Sequence, residues 1–361
     1  MSLSRTGGSS TGSSPVEVVV DGSRTLDSPL LLGHADVVQL ITMKDAIGAI
    51  EQSCRQEHGG EAAAGKRQNL RFPGGWIRFM PAVMTGSGVF GYKEFHLIVT
   101  GESKAEARVR YTTHLFDLTD GRQLASIDAN HLTLLRTGAA AAIGTDRLAP
   151  AHAETAAVIG SGSEARAQLE ALLAVRPVKA VRVFSPSEER RARFASETSR
   201  QLSVEVVPVA SPREAVAGAD VVIAATLTDG KPALLGEWLE RGQHVTSIGS
   251  TMPTQRELDP EVWRRADAIV VDTLGLLGES GDALAAEDAG TIDPARIRTL
   301  SELVASGTAG RTNDEEITLY KSVGTSIHDL AIAEIVYLRA AAAGVGDRIV
   351  DVNSVKTVIP N

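Results

Sequence analysis

The stretch 156–175, AAVIGSGSEARAQLEALLAV, decides how the chain is read. Four apolar residues run into Gly160, Gly162 and Ala165, and an alanine- and leucine-rich helical pattern follows. In a G-x-G-x-x-A turn the first glycine permits the tight bend. The second lets backbone approach a pyrophosphate, and the small third residue lets helix and strand pack closely. The amides of the helix N-terminus then face the phosphates. The motif alone is weak, and its context gives it weight. Downstream, AVRVFS, VEVVPVA, DVVIAAT, HVTSIGS and AIVVD read as apolar strands separated by helical or loop pieces. That alternation predicts a parallel sheet covered on both faces, a Rossmann dinucleotide-binding domain.

Upstream the texture differs. A short strand and a helix near 43–56 precede GWIRFMPAVM, GVFGYKEFHLIVT and ARVRYTTHLFDLTDGRQLASID, whose Asp-Gly pair signals a hairpin. This part reads as an antiparallel sheet with a helix. ANHLTLLRTGAAAAIGTDRLAP reads as a long helix ended by Pro150, its small residues suited to close packing. EEITLYKSVGTSIHDLAIAEIVYLRAAAAGV reads as one long amphipathic helix. The fold class expected is therefore α/β: a Rossmann domain at 146–321 plus an α+β domain with an antiparallel sheet, formed by 16–145 with 322–361. Residues 1–15 read as a flexible leader.

Composition narrows the function. With 361 residues and 43% hydrophobic content, two domains with sizeable cores are expected. The formal net charge of -9 argues against a general nucleic-acid binder. No apolar run is long enough to suggest a membrane span. The one cysteine, Cys54, forms no internal disulfide, which points to a reducing, cytoplasmic setting. His96, His114 and His131 lack metal-ligand spacing, so no metal site is expected. They read as structural residues, with His96 and His114 retained as candidate pocket donors.

The second strand of the parallel region ends VRVFSPSEERR (181–191). An acid there would hold a ribose 2′-hydroxyl. The chain instead has Ser185 and Ser187, with Arg190 and Arg191 close behind, so NADP(H) is favoured and NAD(H) is the second option.

Taken together, RFMPA, GYKEF, FDLTDGRQLASIDANHLTLLRTGAAAA, VIGSGSEARAQLEAL, ELDPEVWRRADAIVVD and GRTNDEEITLYKSVG resemble the ornithine cyclodeaminase/mu-crystallin family over about residues 30–345. The resemblance implies a Rossmann domain and a second domain that binds substrate and dimerises through its sheet, making a homodimer. It also implies three cations on a substrate carboxylate: Lys93, Arg136 of LTLLRTG, and Arg67, with Arg71 the alternative to Arg67. A carboxylate held by converging Arg and Lys is well matched, because the guanidinium fork fixes orientation as well as charge. Thr137 is expected beside the cofactor. The full expected cofactor set is Thr137, Gly160, Ser161, Gly162, Ser163, Ala165, Ser185, Ser187, Arg190, Thr226, Gly249 and Ser250.

The chain departs from true cyclodeaminases at two positions where these carry acids. Arg78 stands two residues before the Met-Pro pair, and Ser250 stands in the G-x-D turn. A serine without a partner is no base near neutral pH, so ring closure of ornithine is disfavoured. What remains is hydride transfer: reduction of a carboxylate-bearing imine to an amino acid, or the reverse. A cyclodeaminase-type lyase and a non-catalytic NADP-binding protein are the alternatives. Lys93 and Ser250 are the expected catalytic residues, and Arg67, Arg78, Lys93 and Arg136 the expected substrate ligands. Strand alternation puts Arg78 on the face of Met80, so where Met80 points decides whether Arg78 meets a second anionic group.

Overall fold

The computed structural model describes residues 28–99, 107–228 and 230–348. The leader at 1–15 and the end of the chain lie outside the described residues.

Two sheets organise the molecule. All the strands of one are parallel, in the order Glu205–Pro208, Ala180–Phe184, Thr155–Ile159, Val221–Ala224, His244–Ser247, Thr318–Lys321, Ala268–Val271, Ile297–Thr299. The chain winds outward from Thr155–Ile159 in one direction and then, from Val221–Ala224, in the other. The order thus reverses between these two strands, where open parallel sheets bind ligands beyond the strands' C-terminal ends. Thr155–Ile159 leads directly into the 160–165 turn. Its last four residues are buried, as a strand covered on both faces requires.

The other sheet carries Gly75–Met84, Val89–Val99, Ala107–Asp117 and Gln123–Asp128 as successive antiparallel strands. Leu30–Leu32 adds in parallel to Gln123–Asp128, and Asp347–Arg348 pairs beyond it at the edge. Register determines which side chains share a face, since directly opposed residues point the same way. Met80 pairs with Lys93 and Lys93 with Thr113, all buried. Arg78 pairs with Phe95 and Phe95 with Tyr111, one row along on the same inner face. The opposite face carries a stripe of half-buried rings: Phe90 stacks on Phe116 at 5.2 Å, and Tyr92 on His114 at 4.8 Å between ring centroids.

Helices Met43–His58, Asn130–Leu148 and Ser326–Ala343 pack on the inner face. The alanine-rich stripe of the second has a definite partner. A Cβ on Gly138 would stand 2.9 Å from the Ala167 carbonyl oxygen, so only glycine lets this helix lie against the turn helix Ser163–Val175. Arg136 lies on the same helix, two residues earlier.

One expectation fails. The segment beginning EEITLYKSVG is not continuous helix: Thr318–Lys321 is a buried strand between His244–Ser247 and Ala268–Val271, and helix starts only at Ser326. A periodic reading of the whole segment missed how well ITLY suits a central parallel strand. The helix itself is buried over most of its length rather than amphipathic.

Candidate functional site

The glycine turn has the geometry a dinucleotide requires. Gly160 has φ +125°, and a Cβ there would lie 2.2 Å from the Ala225 carbonyl oxygen. A Cβ on Gly162 would meet nothing within 4 Å, so the backbone faces open space. The turn helix has no side-chain cap, whereas Ser187, Asp259, Thr299 and Thr325 cap other helices of the chain. Its first amides, at Ser163, Glu164 and Ala165, are thereby left for an anion. These residues fit a nicotinamide dinucleotide, which supplies or accepts a hydride when bound.

At the next strand end, the Ser161 hydroxyl donates to Ser185 Oγ at 3.0 Å. Ser187 caps its helix through the Arg190 amide at 3.3 Å, and Arg190 is exposed. Arg191 bonds the Ser185 carbonyl and lies over the Phe184 ring. Beyond the parallel strands a carboxylate missed in the sequence organises the rim. Glu257 is fully buried and accepts bonds from the Thr226 amide (2.6 Å) and hydroxyl (2.8 Å) and the Ser247 hydroxyl (2.6 Å). It also accepts from the amides of Ile248 (3.1 Å) and Gly249 (2.7 Å). Thr226 and Gly249 are therefore held beside the switch point by one side chain.

Ser250 is fully buried, its hydroxyl donates to the Gln255 carbonyl at 2.8 Å, lies 3.1 Å from the Ser280 hydroxyl, and accepts from the Asp282 amide at 3.3 Å. Thr137 is buried too, with its hydroxyl spent on the Thr133 carbonyl at 2.7 Å.

Opposite the glycine turn lies a cationic cluster. Lys93 Nζ donates to Asp329 Oδ1 at 3.1 Å, and Arg136 Nε donates to the same oxygen at 3.0 Å. All three are buried. Asp329 comes from SIHDLA in the last helix; an acid inside an apolar run was the only signal of it in the sequence. Burial alone would raise its pKa, yet the two cations outweigh burial and hold the carboxyl below its usual range. Burial brings Lys93 down to about 8 against the pull of Asp329. For Arg136, burial is more than offset by Asp329 and Glu164, and its pKa is raised. The Tyr111 ring faces the Lys93 ammonium at 4.9 Å.

Arg67 joins this group, and Arg71 stays exposed on the neighbouring strand. Arg67 pairs with Glu279 at 3.0 Å and donates to the carbonyls of Val323 and Gly324. The same loop is held from its other side by Asp272, whose Oδ2 accepts from the Ser322 hydroxyl at 2.7 Å and the Val323 amide at 3.0 Å. Arg136 lies against Gly324, where any side chain would stand.

Met80 points inward and is buried, so Arg78 points inward as well. Its Nε donates to Asn69 Oδ1 at 2.8 Å and its guanidinium lies 5.0 Å from the Trp76 ring centre. Burial and the nearby Arg67 lower its pKa to about 10. By contrast, His96 and His114 lie on the outer face. His114 bonds Ser126 at 2.9 Å and stacks on Tyr92, so neither histidine is a pocket donor. His131 packs edge-on to His34. Among the described residues no group of three or more His, Cys, Asp or Glu is placed to hold a metal, and no helix is long and apolar enough to cross a membrane.

A doubly wound parallel sheet with a glycine turn at its switch point is the architecture of nicotinamide-dependent oxidoreductases. The sequence profile of the Ornithine cyclodeaminase/mu-crystallin family matches residues 28–344, and the chain belongs to that family. The Delta(1)-pyrroline-2-carboxylate reductase of Thermococcus litoralis, solved with NADH and L-proline, is 35% identical with TM-score 0.83, covering 89% of this chain and 100% of that one. An archaeal alanine dehydrogenase dimer with bound NAD is 32% identical with TM-score 0.82, covering 89% and 99%. The iminosuccinate reductase of Paracoccus denitrificans, solved with NAD+, is 26% identical with TM-score 0.82, also covering 89% and 99%. The chain is an enzyme of this imine reductase and amino-acid dehydrogenase class.

Proposed function

We propose that the protein reduces a 2-imino acid to the amino acid, or runs the reverse, with the substrate carboxylate held by Lys93 and Arg136. The observation that carries this is the pair of cations sharing Asp329 beside the glycine turn. Asp329 takes one bond from each and leaves the rest of both groups for a ligand anion. The residues do the binding and orienting: the anchor presents the carbon, and the buried surroundings keep water from the reacting centre. Arg67 orders the loop behind Arg136. The cofactor lies over Gly160, Ser161, Gly162, Ser163 and Ala165, bounded by Thr137, Thr226 and Gly249. The two units are 16–145 with 322–361 and 146–321.

Arg78 refines the substrate. Arg67, Arg78, Lys93 and Arg136 bring four cations to the inner face, against the carboxylates of Asp329 and Glu279. Arg78 and Arg67 repel each other, and an anion between them relieves that. The substrate is accordingly a dicarboxylic imino acid, its second carboxylate on Arg78. Wild type should favour the imine formed from oxaloacetate and ammonia over that from pyruvate and ammonia. Arg78→Ala should erase a preference of roughly 30-fold, the worth of one charge-assisted contact. A wild type that prefers the monocarboxylic imine contradicts this assignment.

The cofactor is NADP(H), its 2′-phosphate met by Ser185, Ser187, Arg190 and Arg191, with no carboxylate at 184–187 to repel it. Titration with NADPH and NADH checks this; NADH binding as tightly as NADPH overturns it. The solved relatives hold NADH, NAD or NAD+, so NAD(H) is the competing outcome.

The protein assembles as a homodimer through the outer sheet face, where Phe79, Pro81, Val83, Phe90, Tyr92 and Phe116 form an apolar stripe that no layer covers among the described residues. Phe90→Glu should give a monomer by light scattering, while a variant that remains dimeric places the interface elsewhere.

A further inference from the structure

Reduction of a C=N bond needs a hydride on carbon and a proton on nitrogen, and the carboxylate anchor supplies neither. Asp329 is held ionised between two cations and has no proton to give, and the N–H groups of Lys93 that Asp329 leaves free are the ones assigned above to the substrate carboxylate. One acid in the site has no such commitment. Glu164, second residue of the turn helix, has a buried Oε2 with no hydrogen-bond partner. Its side chain lies within electrostatic reach of Arg136 on the neighbouring helix, and of Lys93 and Tyr111 on the sheet. It therefore joins the first turn of the helix whose amides face the phosphates to the neighbourhood of the Lys93–Arg136 anchor. Burial raises its pKa although Arg136 and Lys93 pull the other way. A pyrophosphate on the adjoining amides adds like charge and pushes it further up.

We propose that Glu164 is the catalytic acid and base at nitrogen, a role that rests on the imine-reductase reading above. In reduction the C=N π bond breaks and the reduced nicotinamide is oxidised as its hydride forms the new C–H bond. The Glu164 O–H breaks to form the N–H bond, and the carboxylate is reprotonated from solvent once the product has left and the site is open to water. In oxidation the carboxylate takes the proton back from the amine.

Glu164→Gln keeps the shape and removes the proton. Infrared pH titration of the ligand-free protein should show a protonated carboxyl persisting above the ordinary glutamate range in wild type and missing in the Gln variant. With NADPH and an imine, kcat should fall roughly 100-fold, as expected for loss of a general acid, with the Kd for NADPH within about threefold of wild type by titration. Glu164→Asp should recover part of the rate, and it carries both readouts if the Gln variant fails to fold. Unchanged infrared bands, or an active wild type with an equally fast Gln variant, overturn the role of Glu164 alone. A wild type that reduces no imine overturns the parent reading and this one with it.

Discussion

Replacing Arg136 with alanine is expected to lower kcat/KM for the imino acid by roughly two to three orders of magnitude while leaving dinucleotide affinity near wild type. Arg136 is buried, its Nε donates to Asp329, and its guanidinium lies against Gly324. Truncating one partner of a buried, hydrogen-bonded charge pair costs about 2–5 kcal/mol. Part of that loss is Asp329 left with Lys93 alone. The defect falls on substrate binding and orientation, so it appears in kcat/KM and in the affinity for unreactive carboxylates. Arg136→Lys keeps the charge without the fork and should recover only a fraction. Steady-state kinetics beside a fluorescence titration of NADPH separate the effects. An Arg136→Ala enzyme within threefold of wild type means the carboxylate is held elsewhere.

The second large effect is at the turn. Gly160→Ala places a Cβ 2.2 Å from the Ala225 carbonyl oxygen at a residue whose φ is +125°, which L side chains rarely adopt. The bend has to move, at a backbone cost of about 1–3 kcal/mol, and the phosphate cradle moves with it. Both melting temperature and dinucleotide affinity should fall, the affinity by at least roughly 100-fold, of the order expected when several charge-assisted amide bonds are lost. Gly162→Ala is the informative control. Its Cβ meets no protein atom, so stability should hold while binding weakens, because the methyl occupies the space the phosphates need. If Gly160→Ala binds NADPH as wild type does, the cofactor does not lie on this turn.

What the sequence revealed and what it hid divide along physical lines. The parallel sheet and the glycine turn were legible because local pattern carries them: apolar strands, and a turn that only small residues permit; Lys93 and Arg136 were expected only from the resemblance to the family. Asp329 was not legible, because its partners lie 236 and 193 residues away in the chain. Glu257 and Glu164 were hidden for the same reason. A carboxylate reads as a surface residue until the fold buries it. Arg78, His96 and His114 needed strand register: one residue of offset exchanges inner for outer face. The partners of Ser250, Gln255 and Asp282, were hidden because one of them lies 32 residues away in the chain. The strand Thr318–Lys321 was taken for helix because its place between two earlier strands is a property of the sheet, not of the segment.

The most direct test of the account follows the hydride itself. The reduced dinucleotide that titration shows the enzyme to prefer, carrying two deuterons at nicotinamide C4, is given to the wild-type enzyme with a 2-imino dicarboxylic acid, and the amino-acid product is read by mass spectrometry. The account predicts one deuterium at C2 of the product and a slowed single-turnover rate. A product formed without the label, or label retained in a cofactor that is never consumed, would contradict it.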